Sequence, residues 1–563
     1  MNPEGKRAVI TALRQVVLAG LILLGAWLVL FVIRGNIPAT VIDQMNEEMI
    51  RSGAAIISYD SSSWDWSRSL FEDESVSEII GQRLGITLRL IGLTGLLSLV
   101  FAAVFLSLGV LVSKMTQQPG WLARVRSVLR LVLVSSGAST PFFAAGTLFM
   151  VFLIPRLTPP SLSPGYWLEI LLIAFFASLL PTWLLVQAGH GELANLSENN
   201  SGMTLAKRLS IRLVIRLLRL VGIIIIVTMS TGLGRLLVGG AGMRDFPLLF
   251  NVAWIFVIIV VLVKLSAGLI ETAYDYFSHA ESEMTKIEES PLRFAVPKGW
   301  LIFSLGLACV SILIAVVGPL LAPYGWNEIM LRNRLAPPGP GLILGADNLG
   351  RDILSRLLHG IRIDVLAGLA VAGIISVLAT GWAMLAERVN KTGSWLKETL
   401  ESLVMLPGEI LRAFPWLVLL ILLLSMVAGE KMLMVMVVVF TSLVLLPRAT
   451  LMVLEAYRSS PEGMGWLQAL MRVVPMVFIF SVAAGIMYIS AVSCSGYGLP
   501  PPYPELGGML SGAGRQYMMV APWMAQWPSI VLALLLLVWV MAGDALLERL
   551  GFRSKALWLK LVE

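Results

Sequence analysis

Charged side chains are scarce in this sequence. Lys and Arg number 42 and Asp and Glu 35 among 563 residues, 14% in all, where soluble domains carry roughly a quarter. That supply cannot cover a soluble surface, and 57% of the residues are hydrophobic. Cysteine is almost missing: Cys309 and Cys494 lie far apart, in or beside hydrophobic stretches. They support neither a disulfide framework nor a metal site and read as packing residues. The histidines, His190, His279 and His359, read as loop residues with no spacing suited to a metal. No Gly-x-x-x-x-Gly-Lys-Ser/Thr string occurs, so the chain lacks a loop to cradle nucleotide phosphates. The formal charge of +7 is spread through the chain rather than gathered in a basic domain, which argues against nucleic acid as a partner.

Long apolar runs are what the sequence does contain. A bilayer core about 30 Å thick needs roughly 20 apolar residues per helix, and such runs recur from end to end. Lys6, Arg7 and Arg14 precede the first of them; the run is too long for a secretory signal and lacks a small-residue cleavage site, so it reads as a retained helix. The hydropathy pattern places spans at residues 16–33, 90–112, 131–154, 166–186, 213–229, 248–270, 300–321, 365–385, 413–427, 432–446, 474–492 and 530–541. The expected fold class is an all-α integral membrane protein of about 12 helices. An even count puts both termini on one side, and the excess of Lys and Arg, clearest at Lys114, Arg124, Arg126 and Arg130, makes that side cytoplasmic.

The plan occurs twice. In each half one span and a longer external segment lead through an amphipathic stretch, residues 77–84 or 352–359, into further spans. The expected units are residues 1–275, a linker at 276–298 containing Glu281, Glu283, Glu288 and Glu289, and residues 299–563. Halves with an even number of spans share an orientation and should be related by an axis along the membrane normal, with a pathway between them.

Specific motifs then resemble a known family. Leu344-Gly345-Ala346-Asp347-Asn348-Leu349-Gly350-Arg351-Asp352-Ile353-Leu354-Ser355-Arg356-Leu357 is similar to the "LGTDxLGRDxxSRL" signature of the C-type permease subunit of dipeptide and oligopeptide ABC importers. Gly496-Tyr497-Gly498-Leu499-Pro500-Pro501-Pro502, then Gly507-Gly508-Met509-Leu510, Ala521-Pro522-Trp523 and Gly543-Asp544, resembles a later series in the same subunit. Gly232-Leu233-Gly234-Arg235-Leu236-Leu237 followed by Arg244-Asp245-Phe246-Pro247 resembles the B-type partner's "GLGRLLxxAxxxRDYP", and Ser67-Arg68-Ser69-Leu70 its external segment. One polypeptide thus resembles a fusion of both subunits, a type I ABC importer permease in the bacterial cytoplasmic membrane.

The resemblance implies no catalysis and no cofactor on this chain, with ATP and Mg on two partner ATPase subunits. It also implies an extracytoplasmic binding protein that delivers a peptide or similar small solute. The signature residues Gly232, Gly234, Arg235, Gly345, Asp347, Gly350, Arg351, Asp352, Gly496 and Gly498 fall in predicted external loops. There Gly allows tight turns, and Arg351 and Asp352 can pair with or cap the next helix; they either shape the fold or dock the binding protein. Leu510 to Gln516 faintly echoes an ABC-ATPase signature in a predicted external loop and reads as coincidence.

Force from the ATPases would enter through a cytoplasmic "EAA…G" helix between the fourth and fifth spans of each half. Glu455, Ala456 and Gly463 are the candidates in the second half, at imperfect spacing. Residues 192–212 match poorly in the first half, and the acidic residue usual in the fifth span is absent. Two alternatives stay open: a secondary transporter, which would need membrane-embedded ionisable relays, and a permease-derived scaffold not coupled to ATP. Lys264 and Arg412 are expected either to snorkel or to mark a solute route. Pro141, Pro181, Pro407 and Pro415 read as kinks.

Overall fold

The structure, a computed structural model, describes residues 3–52, 64–71, 74–115, 174, 178, 202–227, 232–279, 298–390, 396–427, 430–458, 466–511, 514, 516–517 and 520–550. The described residues form helices and no strand; the isolated β-bridges Arg68–Ser75, Gly339–Leu342 and Ala346–Asp352 close turns. The helices are α1 (Pro3–Arg34), α2 (Ala39–Ser52), α3 (Val76–Met115), α4 (Gly202–Arg219), α5 (Val221–Val227), α6 (Gly232–Met243), α7 (Phe246–His279) and α8 (Lys298–Val317). They continue as α9 (Ile353–Asn390), α10 (Leu396–Ala413), α11 (Trp416–Ser425), α12 (Glu430–Arg458), α13 (Trp466–Cys494), α14 (Leu506–Leu510) and α15 (Trp523–Arg549).

Among the described residues 8 helices are long and apolar enough to cross a membrane, or up to 9 if one bent pair counts as a span. The spans expected at 131–154 and 166–186 lie outside the described residues, apart from Ala174 and Ser178. The structure therefore carries the all-helical membrane fold without supplying the twelve-span count. The stretch expected as a span at 213–229 is divided between α4 and α5, where Arg212, Arg216 and Arg219 make the first piece amphipathic. The span expected at 413–427 is half of a bent pair: Glu401–Ala413 and Trp416–Ser425 meet at 81°. Pro415 occupies the N-cap of the second piece and cannot carry the helix through the break.

Several helices outrun their apolar windows. The candidate span beginning at Ile353 ends at Arg388, and another runs from Met432 to Arg458 through Pro447. Polar ends hid this extent, because a hydropathy window stops at the first charge while helical hydrogen bonding does not. His359, expected in a loop, consequently sits within α9 and places Nδ1 2.9 Å from the Ser355 carbonyl. His279 ends α7, and His190 lies outside the described residues. Among the described residues no His, Cys, Asp and Glu cluster could hold a metal.

Small residues bring the helices together, as expected where apolar lipid gives no hydrophobic drive between helices. A Cβ at Gly368 of α9 would stand 2.7 Å from Ile486 of α13, and one at Gly485 would stand 3.1 Å from Val371, so the two helices admit each other reciprocally. The ten residues of α11 are nearly all buried. This helix packs against α5, α6 and α7 and also against α12 and α13. Leu13, Leu24 and Phe31 of α1, and Ile302, Val310 and Leu313 of α8, are exposed and suit contact with lipid.

Helix α1 joins two groups of helices. Gln15 donates to Thr272 of α7 at 3.1 Å, and Arg14 donates to Ser402 of α10 at 2.7 Å. Between α1 and α10, a Cβ at Gly25 would come within 2.2 Å of Ile410 Cδ1. Gly25→Leu is expected to overpack this contact and destabilise the protein by about 1–3 kcal/mol. Thermal unfolding in detergent checks it, with Gly20→Leu, where nothing lies within 4 Å, as the control that leaves the midpoint in place.

Candidate functional site

The loop before α9 is built around a buried carboxylate. Asp347 Oδ1 accepts from the Leu349 and Arg351 amides at 2.8 and 2.9 Å. Its Oδ2 accepts from Arg351 Nε at 2.7 Å and lies 3.7 Å from Arg356 Nε. Asp352 caps α9, its Oδ2 accepting from both the amide and hydroxyl of Ser355 at 2.7 Å. Asp347, Arg351, Asp352 and Arg356 are all buried. Gly345 and Gly350 adopt φ of +83° and +78°, a region that only glycine enters without strain.

The loop is tied to the distant Pro-rich series. Arg356 donates to the carbonyls of Trp326 and Pro502 at 3.2 and 3.3 Å, and Trp523 Nε1 donates to the Ala346 carbonyl at 3.0 Å. Glu505 accepts from Gly507 and Gly508 at 3.0 and 2.6 Å, capping α14. Asp364 of α9 accepts from the Leu506 amide at 3.2 Å. The sequence pattern does not single out this acid, because Asp364 falls one residue before the apolar run of 365–385 and beside Arg362, where it reads as part of the polar approach to the span.

The earlier motif differs from its expected form. Gly232, Gly234 and Arg235 belong to helix α6 rather than to a loop. Gly232 opens that helix at φ +57°, and the Thr87 hydroxyl accepts from the Leu233 amide at 2.9 Å, so a side chain on α3 caps the turn. Gly234 is buried and Arg235 exposed. Asp245 binds the Ser69 hydroxyl and accepts from the Leu70 and Leu248 amides at 3.3 Å each. Phe246, the next residue, packs with Trp64, Trp66 and Phe250 as an aromatic group. Asp65, just outside, has its carboxyl held below the usual range by the Ser67 hydroxyl and amide.

Tyr497 connects the two motif regions. It follows Gly496, which takes φ +96°, and its hydroxyl donates to the Val238 carbonyl of α6. Burial pushes the phenol up to about 12, so it remains a donor throughout the physiological range. Gly498 leaves no room for a side chain, since a Cβ there would stand 1.7 Å from Ser493 Oγ.

At the far ends of α9, α10 and α12, Arg458 pairs with Glu387 at 3.2 Å and Glu401 at 2.7 Å. Glu455 and the buried Ala456 stand one turn earlier, on the spanning helix itself rather than on a separate helix. Gly463 lies outside the described residues. Lys264 Nζ donates to the Arg412 carbonyl at 3.3 Å. Arg412 pairs with Glu409 at 2.8 Å.

No protein-family model matches the chain. It is 29% identical over 293 residues to the dipeptide transport system permease protein DppC of Haemophilus influenzae, a match covering 48% of this chain and 96% of that protein. Over 265 residues it is 32% identical to the glutathione transport system permease protein GsiD of Pectobacterium atrosepticum, covering 44% of this chain and 85% of the relative. The chain belongs to the peptide ABC-importer permease family. A di/tripeptide permease of Pseudomonas aeruginosa matches at 29% identity over 49% of the chain and 96% of its own length. This permease is accordingly a multi-pass inner-membrane transport component. The relatives occupy less than half of it.

Proposed function

We propose that the permease forms both walls of a solute pathway in an ATP-driven importer of peptides or small peptide-like compounds. Residues 1–275 act as the B-type half, 299–563 as the C-type half, and 276–298 as a cytoplasmic linker, with both termini in the cytoplasm. One observation carries this reading: a relative matched over 96% of its own length accounts for only 48% of the chain. Candidate spans nevertheless occur throughout, among them Phe246–Phe277 and Trp523–Leu547. Two ATPase subunits supply energy and an extracytoplasmic binding protein supplies solute, so this chain needs no bound cofactor. Glu455, Ala456 and Gly463 belong to the segment that receives the ATPase stroke, and Arg458 clamps three helix ends together through Glu387 and Glu401 so that they move as one. The buried residues of the 345–352 loop hold the opposite face in shape for the binding protein.

Affinity purification followed by reconstitution tests this reading. ATPase subunits should accompany the chain, and their hydrolysis should rise when binding protein and a short peptide are added. Deleting the chain should abolish uptake of that peptide. A chain that purifies without any ATPase, in cells whose peptide uptake is unchanged by its deletion, would remove the proposal.

A further inference from the structure

We infer that Lys264, Arg412 and Arg448 form a recognition site for a solute carboxylate, placed where the two proposed halves meet. A narrow cavity there is lined by Gly222 and Ile223 of α5, Lys264 of α7, Arg412 of α10, Trp416 of α11 and Arg448 of α12. The reading of the chain as a peptide permease supplies the solute's identity, and the inference rests on it in that respect. The cation cluster itself stands on geometry.

Three cations meet at this cavity, and Glu409 pairs with one of them, Arg412, at 2.8 Å. Charge within a membrane protein is costly and tends to mark a solute or ion path. Arg448 is the most telling. It is 2% exposed, its Nη1 donates to the Val444 carbonyl at 2.8 Å, and its Nε has no hydrogen-bond partner. Arg412 Nε is likewise buried without a partner. A guanidinium presents N–H groups in a planar fork that matches a carboxylate, so unfilled donors on two arginines around one cavity suit that ligand.

The backbone adds to the field. Helix α11 starts at the cavity with Pro415 as its N-cap and no side chain capping it, which turns the positive end of its dipole toward this space. A purely structural account has Lys264 tying down the carbonyl end of α10, and its bond to the Arg412 carbonyl fits that. The same account leaves the buried Nε groups of Arg412 and Arg448 unexplained. Size narrows the ligand further. The enclosed space is small, about 10 Å³ for the centres of water-sized groups, far below the roughly 300–1,000 Å³ typical of small-molecule pockets. It therefore admits no more than an end group, such as the terminal carboxylate of a short peptide, and not a whole solute.

The test uses the full chain, with whatever ATPase subunits purify with it, in lipid nanodiscs. Trialanine and trialanine amide are titrated against it, with binding followed by calorimetry and folding by the ligand-free thermal midpoint. Trialanine should bind about tenfold or more tightly than the amide. Arg448→Gln and Lys264→Gln should erase that preference while Arg448→Lys keeps part of it. Should Arg448→Gln fail to fold, Lys264→Gln and Arg448→Lys decide the matter. Equal binding of acid and amide, no binding of either, or an undiminished preference in Lys264→Gln overturns the inference. Uptake of both peptides into cells with and without the chain is measured in parallel. Uptake independent of the chain removes the peptide-permease reading, whereas the nanodisc titration reports on the cation site by itself.

Discussion

Asp347→Ala is expected to cost about 3–5 kcal/mol, the range for removing one partner of a buried ion pair. The mutation leaves Arg351 and Arg356, both buried, beside a site that has lost its negative charge. It also removes the acceptor for the Leu349 and Arg351 amides at 2.8 and 2.9 Å, and a buried donor left unmatched carries its own desolvation penalty. Asp347→Asn keeps an oxygen for those amides and should fall between the two. The measurement is the thermal midpoint in detergent, together with the amount of folded protein in the membrane. If Asp347→Ala unfolds within a degree or two of wild type, the loop is not held by this carboxylate. A cycle with Arg351→Leu adds a second check, because the paired losses should sum to more than the double mutant's loss.

Gly350→Ala should disrupt the same loop by another route. Its φ of +78° alone costs a residue with a Cβ about 1–3 kcal/mol. The new methyl would also lie 1.9 Å from the Met330 carbonyl oxygen, and backbone cannot swing aside as a flexible side chain can. The loop must open, loosening the Asp347 network and the N-cap that Asp352 supplies to α9. Loss of stability comparable to that of Asp347→Ala is the expected result. Gly373→Ala within α9, where nothing lies within 4 Å, should leave the midpoint unchanged. Equal behaviour of the two alanine variants would mean that the loop conformation is not the constraint on position 350.

The motif residues could be found in the sequence because each does a local job with a recognisable residue type. Gly345 and Gly350 take positive φ, and Asp352 caps the helix that begins one residue later. Gly232, by contrast, looked like part of a loop. Its turn is capped by Thr87, whose backbone partner at Leu233 lies 146 positions away, and no local pattern carries that information. Arg448 was overlooked for a related reason. The apolar window ends at Leu446, so Pro447 and Arg448 resemble a helix terminus, whereas α12 continues to Arg458. Asp364 reads in sequence as one of the polar residues ahead of an apolar run, beside Arg362, and its neighbours at Glu505 and Leu506 come from a distant segment.

From the sequence alone come the membrane location, the helical class and the family. These depend on composition, on run length set by bilayer thickness, and on motifs whose residues act on their own backbone. Which charges meet is a tertiary matter. Lys264, Arg412 and Arg448 sit on three separate helices, and their shared cavity exists because the chain breaks by 81° ahead of Trp416 and turns the start of α11 into the bundle. Proximity of this kind depends on helix packing and on the direction each side chain takes from its helix, quantities that one-dimensional spacing does not contain.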